Sequence, residues 1–349
     1  VTRAKNPDVQ NNTASPGDPG KGGGVAGRTF GTAVLQPLVR QKELSILIAT
    51  VAVAIYFSAT THGFNSSDNY LTIVHYLAPW AIVATGEVML LICGEIDLST
   101  GFMFTLSPFI LMSFYNGGTP LLLALVLALV VCAVIGFLNG FVTTRFGIAS
   151  FIVTLGSSFL LEGISLLMSN GAPVAAPASG WVVQVFGKAH WAETLWVLGI
   201  VVVMQIVLSA TRFGVSTQAT GGNPVGAAEA GIRVNLVKIV NFSIASTLAG
   251  LGGIIDGLRL GSFDPTNGGP NTMFLAVASA VIGGTALLGG RGTVVGALLG
   301  ALLLGIVFDG FSLAGVDANT FDVVLGIAIV IAMLLNVYLG YLRKRVSRT

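Results

Sequence analysis

Charge is what this chain has least of. Of its 349 residues only 9% are Asp, Glu, Lys or Arg, against about 25% in a soluble domain. The hydrophobic share is 54% and the mean hydropathy is +0.86. That balance excludes a water-soluble globular domain and puts the chain in a bilayer. Cysteine is nearly absent. Cys93 and Cys132 both lie in apolar runs, which argues against a disulfide framework. The three histidines and two cysteines form no cluster with ligand spacing, so no metal site is expected. A phosphate-binding loop is missing as well. The pairs Gly20-Lys21 and Gly187-Lys188 are followed by Gly22 and Ala189, neither Ser nor Thr, so the chain cannot hydrolyse ATP by that route. Gly22 to Gly27 matches the dinucleotide fingerprint in letters only, because no strand precedes it. No catalytic residue and no cofactor are expected in this chain. A net charge of +2 gives no reason to expect nucleic acid as a partner; where the charges lie matters more.

What is there is a succession of apolar runs. Val1 to Thr32 is rich in Gly, Pro, Asn and Ser and cannot bury enough apolar surface to fold alone. Residues 1–42 are therefore expected to be a disordered tail. Runs of spanning length follow near Leu44–Thr60, Leu71–Cys93, Ser99–Tyr115, Leu121–Val142, Ser150–Ser169, Thr194–Thr211, Ile239–Leu258, Met273–Leu288, Val294–Ser312 and Phe321–Tyr341. About 20 apolar residues cross a bilayer as a helix. The expected fold is thus an all-α polytopic membrane protein with about ten transmembrane helices over residues 43–342. An even number puts both termini on one side. With the N-terminus in the cytoplasm, 15 of the 17 basic residues fall inside and only two, Lys188 and Arg259, outside, as the positive-inside rule requires. Residues 343–349 form a basic cytoplasmic tail. Trp191 and Trp196 fall where an outer aromatic belt is expected, and Tyr338 and Tyr341 at an inner one.

Two stretches interrupt this pattern with acid. Gly94 to Gly101 reads G-E-I-D-L-S-T-G and holds Glu95 and Asp97 between two apolar runs. Unpaired backbone and bare charge are costly in lipid, so such a break is either a solvated surface loop or a segment buried in protein beside a wet path. Ser99 is placed to cap the helix that follows, and Asp97, two residues earlier, to hold the break in shape. Gly261 to Gly268 reads G-S-F-D-P-T-N-G and echoes the first stretch, with Asp264 in the place of Asp97. The helix before the first stretch runs inward and the helix before the second outward, the pattern of an inverted repeat of helices two to five against seven to ten.

Arg212 to Lys238 is the longest inside connection after the tail. Within it Asn223 suits an N-cap, Pro224 the first helical position, and Gly231 the left-handed residue that ends a helix. A short helix over Val225 to Ala230 is expected, serving either as a docking knob for a cytoplasmic partner or as a connector on the membrane surface.

Four stretches carry a resemblance. They are E-I-D-L-S-T-G at Glu95–Gly101; F-I-V-T-L-G at Phe151–Gly156 with S-N-G-A-P-V at Ser169–Val174; G-G-N-P-V-G-A-A-E-A-G-I at Gly221–Ile232; and V-I-G-G-T-A-L-L-G-G-R-G-T-V-V-G at Val281–Gly296. In this order they resemble the membrane subunit of bacterial ATP-binding-cassette importers for simple sugars, the ribose-type permeases, from about Glu43 to Tyr341. The resemblance implies a multi-pass protein of the inner membrane and a second permease copy, identical or related. It also implies cytoplasmic ATPase subunits and a periplasmic sugar-binding protein as partners. By the same resemblance the loop of Gly221, Gly222, Asn223, Pro224, Ala227, Ala228, Glu229 and Gly231 docks on the ATPase. There are departures. Glu95 stands where the family usually has Gly, Glu87 where the residue is often uncharged, and Glu162 where many members have Arg. Met273 and Leu275 occupy a region where acidic residues are common.

Polar residues within or beside the runs are candidates for the solute path. They are Glu87, Glu95, Asp97, Ser99, Asn139, Glu162, Asp264 and Asn267. Carboxylates and amides bond hydroxyl-rich solutes well, and the same groups could instead join neighbouring helices. Asn241, Asp256 and Asp309 share that ambiguity. Glu95 and Glu162, with no evident backbone duty, are expected to meet solute. An ion-coupled secondary transporter would also use inverted repeats and buried carboxylates, but it has no ATPase for a capped loop to dock. A permease for branched-chain amino acids or nucleosides is the alternative within the class.

Overall fold

In the computed structural model the described residues are 42–317, 320–324, 326, 327, 329–331 and 334. The expected N-terminal tail, the basic C-terminal tail and the inner aromatic pair Tyr338 and Tyr341 lie outside them. Among the described residues seven helices are long and apolar enough to cross a membrane. They are α1 (Lys42–Thr60), α2 (Ser67–Ile92), α4 (Leu121–Phe146), α5 (Ser150–Ser169), α7 (Ala192–Ala210), α10 (Val234–Leu260) and α12 (Val294–Leu313). Between them lie two shorter apolar helices, α3 (Thr100–Asn116) and α11 (Gly269–Ile282). The rest are short: α6 (Trp181–Val183, continued by a π-turn over Gln184–Lys188), α8 (Arg212–Gly222) and α9 (Pro224–Glu229).

Local chemistry sets several of the ends. Ser66 accepts the Asn69 N–H at the start of α2, and Thr293 the Gly296 N–H at the start of α12. Left-handed residues close α4 at Gly147, α5 at Asn170 and α10 at Gly261. The apolar run expected to continue from Met273 to Leu288 stops as a helix at Ile282. Gly284, at φ +93°, takes a conformation in which L side chains clash, and the chain turns there although its hydropathy does not change.

Helix α2 is the axis of the molecule, buried along most of its length against α10, α11 and α12. Helix α10 packs on α4, α3 and α2. Without a hydrophobic drive between helices in lipid, close approach of small residues holds such contacts together. A Cβ at Gly253 would overlap the Phe104 carbonyl, and one at Gly136 the Phe242 carbonyl. The strand pair β1 (Val174–Ala175) and β2 (Ser262–Phe263) is antiparallel, with Val174 opposite Phe263. It ties the α5–α6 connection to the segment after α10. Helix α4 shows the opposite character: its outward face carries Val126, Val130, Val134 and Phe137, all exposed and all apolar, the composition of a lipid-facing surface.

Candidate functional site

The first acidic stretch is a buried break between α2 and α3. Gly94 turns the chain at φ +80°. The Gly94 and Glu95 N–H groups still donate back into α2, to the Leu91 and Leu90 carbonyls; beyond them α5 supplies partners. The Ile96 N–H donates to Ser150 Oγ at 3.3 Å, the Leu98 N–H to Thr154 Oγ1 at 3.0 Å, and Ser158 Oγ donates to the Leu98 carbonyl at 3.0 Å. These three hydroxyls recur every four residues and so share one face of α5. The same face is the buried one, through Leu161, Ser165 and Ser169. The sequence signal of this face is a stripe of hydroxyls at four-residue spacing on a mostly apolar helix. Thr154→Val keeps the shape but leaves the Leu98 N–H without an acceptor. It is expected to lower thermal stability in detergent, by about 1–3 kcal/mol, while Thr154→Ser restores it.

Asp97 holds the break from within. It is fully buried, and its Oδ1 accepts the Ser99 N–H at 2.8 Å and the Ser99 hydroxyl at 2.5 Å. Ser99 does sit at the N-cap position of α3, but its side chain caps nothing. It donates to Asp97 and accepts from Asn139 Nδ2 at 3.0 Å, correcting the expected capping role. Asn139 is fixed in turn by Ser157, whose hydroxyl donates to Oδ1 at 2.5 Å. Glu87, one to two turns before the end of α2, accepts the Thr100 hydroxyl at 2.9 Å and is fully buried.

Glu95 was expected to be free for solute because no backbone duty was evident. The structure pairs it with Lys238, near the start of α10, at 2.5 Å. The pairing spans 143 positions, which no local reading of sequence reaches. Glu162 lies apart from this cluster. It is exposed on α5, four residues beyond Ser158, and so flanks the hydroxyl-bearing face rather than lying on it.

The second acidic stretch repeats the device. Gly261 turns the chain at φ +73°, and Asp264 Oδ1 accepts the Thr266 N–H at 2.8 Å and the Thr266 hydroxyl at 2.7 Å. As Glu87 ties back Thr100, so Asp256 Oδ2 accepts from Asn267 Nδ2 at 2.8 Å. The short helices that leave the two breaks then meet. A Cβ at Gly101 would overlap the Gly269 carbonyl, and Thr105 Oγ1 both donates to the Asn267 carbonyl at 2.8 Å and accepts the Gly269 N–H at 3.1 Å. Asp256 continues into an ion network that the sequence did not announce. Arg259 pairs with Asp256 at 2.6 Å and with Glu193 of α7 at 2.8 Å, and Glu193 also meets His75 of α2. Of the other two ambiguous polar residues, Asn241 bonds Cys93 and Thr217, and Asp309 bonds Asn69. The groove of about 670 Å³ beside α11, lined in part by Asn271, Phe274 and Asp322, includes none of the expected pathway residues.

The capped loop forms as its sequence dictates. Asn223 accepts the Gly226 N–H at 3.0 Å, Pro224 occupies the first helical position of α9, and Gly231 is left-handed at φ +84°. Pro224, Ala228, Glu229 and Gly231 are exposed, as is Val225 at 68%, while Ala227 anchors the helix inward at 5%. Helix α8, unread in the sequence, leads into this loop and ends against the first break. The Gly290 N–H donates to the Ile92 carbonyl at 2.7 Å. Gly221 lies so close to that carbonyl that a Cβ there would overlap it. The ends of α2 and α8 thus touch backbone to backbone, with Gly289 and Gly290 completing the junction.

Residues 69–333 match the model of a family described as the permease component of the branched-chain amino acid transport system. The xylose/arabinose import permease protein of Sulfolobus acidocaldarius is 38% identical over 311 residues, 86% of each chain. The ribose import permease protein of Escherichia coli K12 is 33% identical over 320 residues, 89% of this chain and 97% of the relative. That of Bacillus subtilis is 32% identical over 299 residues, 84% and 92%. No solved structure matches the chain. With the matched region covering the break, the hydroxyl stripe and the capped loop alike, this chain is a multi-pass membrane protein belonging to the permease family of ABC importers that includes the ribose and xylose/arabinose permeases.

Proposed function

We propose that this chain is the membrane-spanning subunit of an ATP-driven importer for a monosaccharide or related polyol. The solute is handed over by a separate binding protein, and ATP is hydrolysed on separate subunits. The observation that carries the ATP-driven reading is α9: a helix of six residues, capped at both ends, exposed on one side and following directly on α8, whose last turn lies against the end of α2. Its rigidity suits a lever that an ATPase grips, and Asn223 to Gly231 is that docking segment. The names of the curated relatives favour a sugar over the amino acid in the family's description.

In this reading α3, α11 and the helical residues from position 320 complete ten spans with the seven long helices. The matched left-handed glycines, Asp–hydroxyl turns and carboxylate ties of the two breaks support an inverted repeat. The distribution of basic residues supports both termini in the cytoplasm of an inner membrane. Reporter fusions after Ala219 should then read inside, and fusions after Gly117 and Gly180 outside; an outside signal at Ala219 would remove the docking loop from the ATPase.

A second permease copy, identical or related, is expected to close the solute path. Glu162 supports this. A carboxylate in the middle of a span costs about 2.5–3.5 kcal/mol when it faces lipid, and here it is exposed on its own chain. Placed between two copies it lines the path. The buried groups Glu87, Asp97, Ser99 and Asn139 hold the wall behind it, and Asp264 and Asn267 do the same at the second break.

The test is docking. Gly231→Val forces a β-branched residue into the left-handed region, at a cost of about 1–2 kcal/mol. ATPase retention on purification and sugar uptake should both fall, while the amount of protein in the membrane stays near normal. Undiminished ATPase retention would contradict the assignment of this loop.

A further inference from the structure

Resting on the docking reading of α9, we propose that the glycine loop between α11 and α12 presents Leu288 as a second anchor for the same ATPase subunit. Leu288 is 94% exposed, and the loop that carries it is well ordered by its own bonds. The Ala286 N–H donates to the Arg291 carbonyl at 2.9 Å, the Gly289 N–H to the Ala286 carbonyl at 3.1 Å, and the Gly290 N–H to the Ile92 carbonyl at 2.7 Å. Gly289 and Gly290 take φ of +85° and +77°, a tight course open to glycine. Such a loop holds its leucine out in one direction, and the side chain cannot fold back to cover itself.

What the leucine meets follows from where the loop lies. A Cβ at Gly289 would come within 2.8 Å of the Gly221 carbonyl, and one at Gly290 within 2.9 Å of Gly222 Cα. The loop is therefore flush with the corner from which α9 springs. Val225, 68% exposed, stands three residues beyond that corner. Two protruding aliphatic side chains on adjoining rigid loops make a surface continuous with the docking helix. Exposed Arg291, three residues after Leu288, keeps this edge at the aqueous boundary. The complementary partner is an apolar pocket with an acidic rim, next to the one that receives α9.

The experiment uses the full permease expressed with its ATPase and binding protein. A photo-reactive residue is placed at position 288 or, separately, at 225. Both positions should give adducts with the ATPase subunit, and Leu288→Ser should weaken ATPase retention about tenfold with membrane levels unchanged. If position 225 reaches the ATPase but 288 labels only lipid or the second permease copy, the second anchor is wrong and the docking reading stands. If neither position reaches the ATPase, the docking reading fails and takes this inference with it.

Discussion

Gly221→Ala should cripple the protein, and Gly222→Ala, one residue away, should leave its stability intact. Helix propensity alone says otherwise. Both glycines lie in the last turn of α8, where alanine is intrinsically the better helix former by about 0.5–1 kcal/mol. Space decides. At Gly222 the nearest atom to a new Cβ is Gly290 Cα at 3.9 Å, an ordinary contact. At Gly221 the Cβ would overlap the Ile92 carbonyl oxygen and press on the Gly290 nitrogen at 2.7 Å. These atoms are backbone and cannot rotate away. Relief requires parting the ends of α2 and α8, which also breaks the Gly290 to Ile92 hydrogen bond. Overpacking of this kind costs about 1–3 kcal/mol and the lost bond about 1 more, well above the propensity gain. Thermal unfolding in detergent should show a clear drop for Gly221→Ala and none for Gly222→Ala. Uptake should fall with the first, because this junction joins the docking loop to the break. Equal stability of the two variants would contradict the junction.

Asp97→Ala is expected to be the most damaging side-chain truncation in either acidic stretch. It strips the acceptor from two donors, the Ser99 N–H and hydroxyl, in a region with no access to water. Each abandoned buried donor costs about 1–3 kcal/mol, and Ser99 then also loses its orientation toward Asn139. Asp97→Asn keeps an acceptor at Oδ1 and loses only the charge, so its loss should be intermediate. Asp264 makes the same two bonds with Thr266, but these are exposed. Water replaces the missing acceptor there, and Asp264→Ala should cost only about 0.5–1.5 kcal/mol. The expected order of stability is Asp264→Ala, then Asp97→Asn, then Asp97→Ala as the least stable. An Asp97→Ala protein as stable as Asp264→Ala would show that burial does not set the role of this carboxylate.

What could be read from sequence was whatever physics keeps local. Seven spans followed from apolar runs, because lipid demands length and composition of each helix separately. The ends of α9 were legible because an N-cap, a first-turn proline and a left-handed glycine act within their own few residues. The turn at Asp97 was legible for the same reason, though the detail of Ser99 was not. Distant pairing was hidden. The partner of Glu95, Lys238, comes from α10, and that of Glu87, Thr100, from beyond the break, so neither pairing is visible in a local stretch. Helix α8 carries few apolar residues and gave no periodic signal. The end of α11 was obscured because Val281 to Leu288 stays apolar through a glycine turn.

The most direct measurement is reconstitution. The purified chain is placed in vesicles with its ATPase inside and its binding protein and a panel of radiolabelled monosaccharides and polyols outside. Accumulation should require ATP, the ATPase and the binding protein together, and should be unaffected by collapsing proton and sodium gradients. Accumulation by the chain alone, driven by either gradient without ATP, would contradict the account.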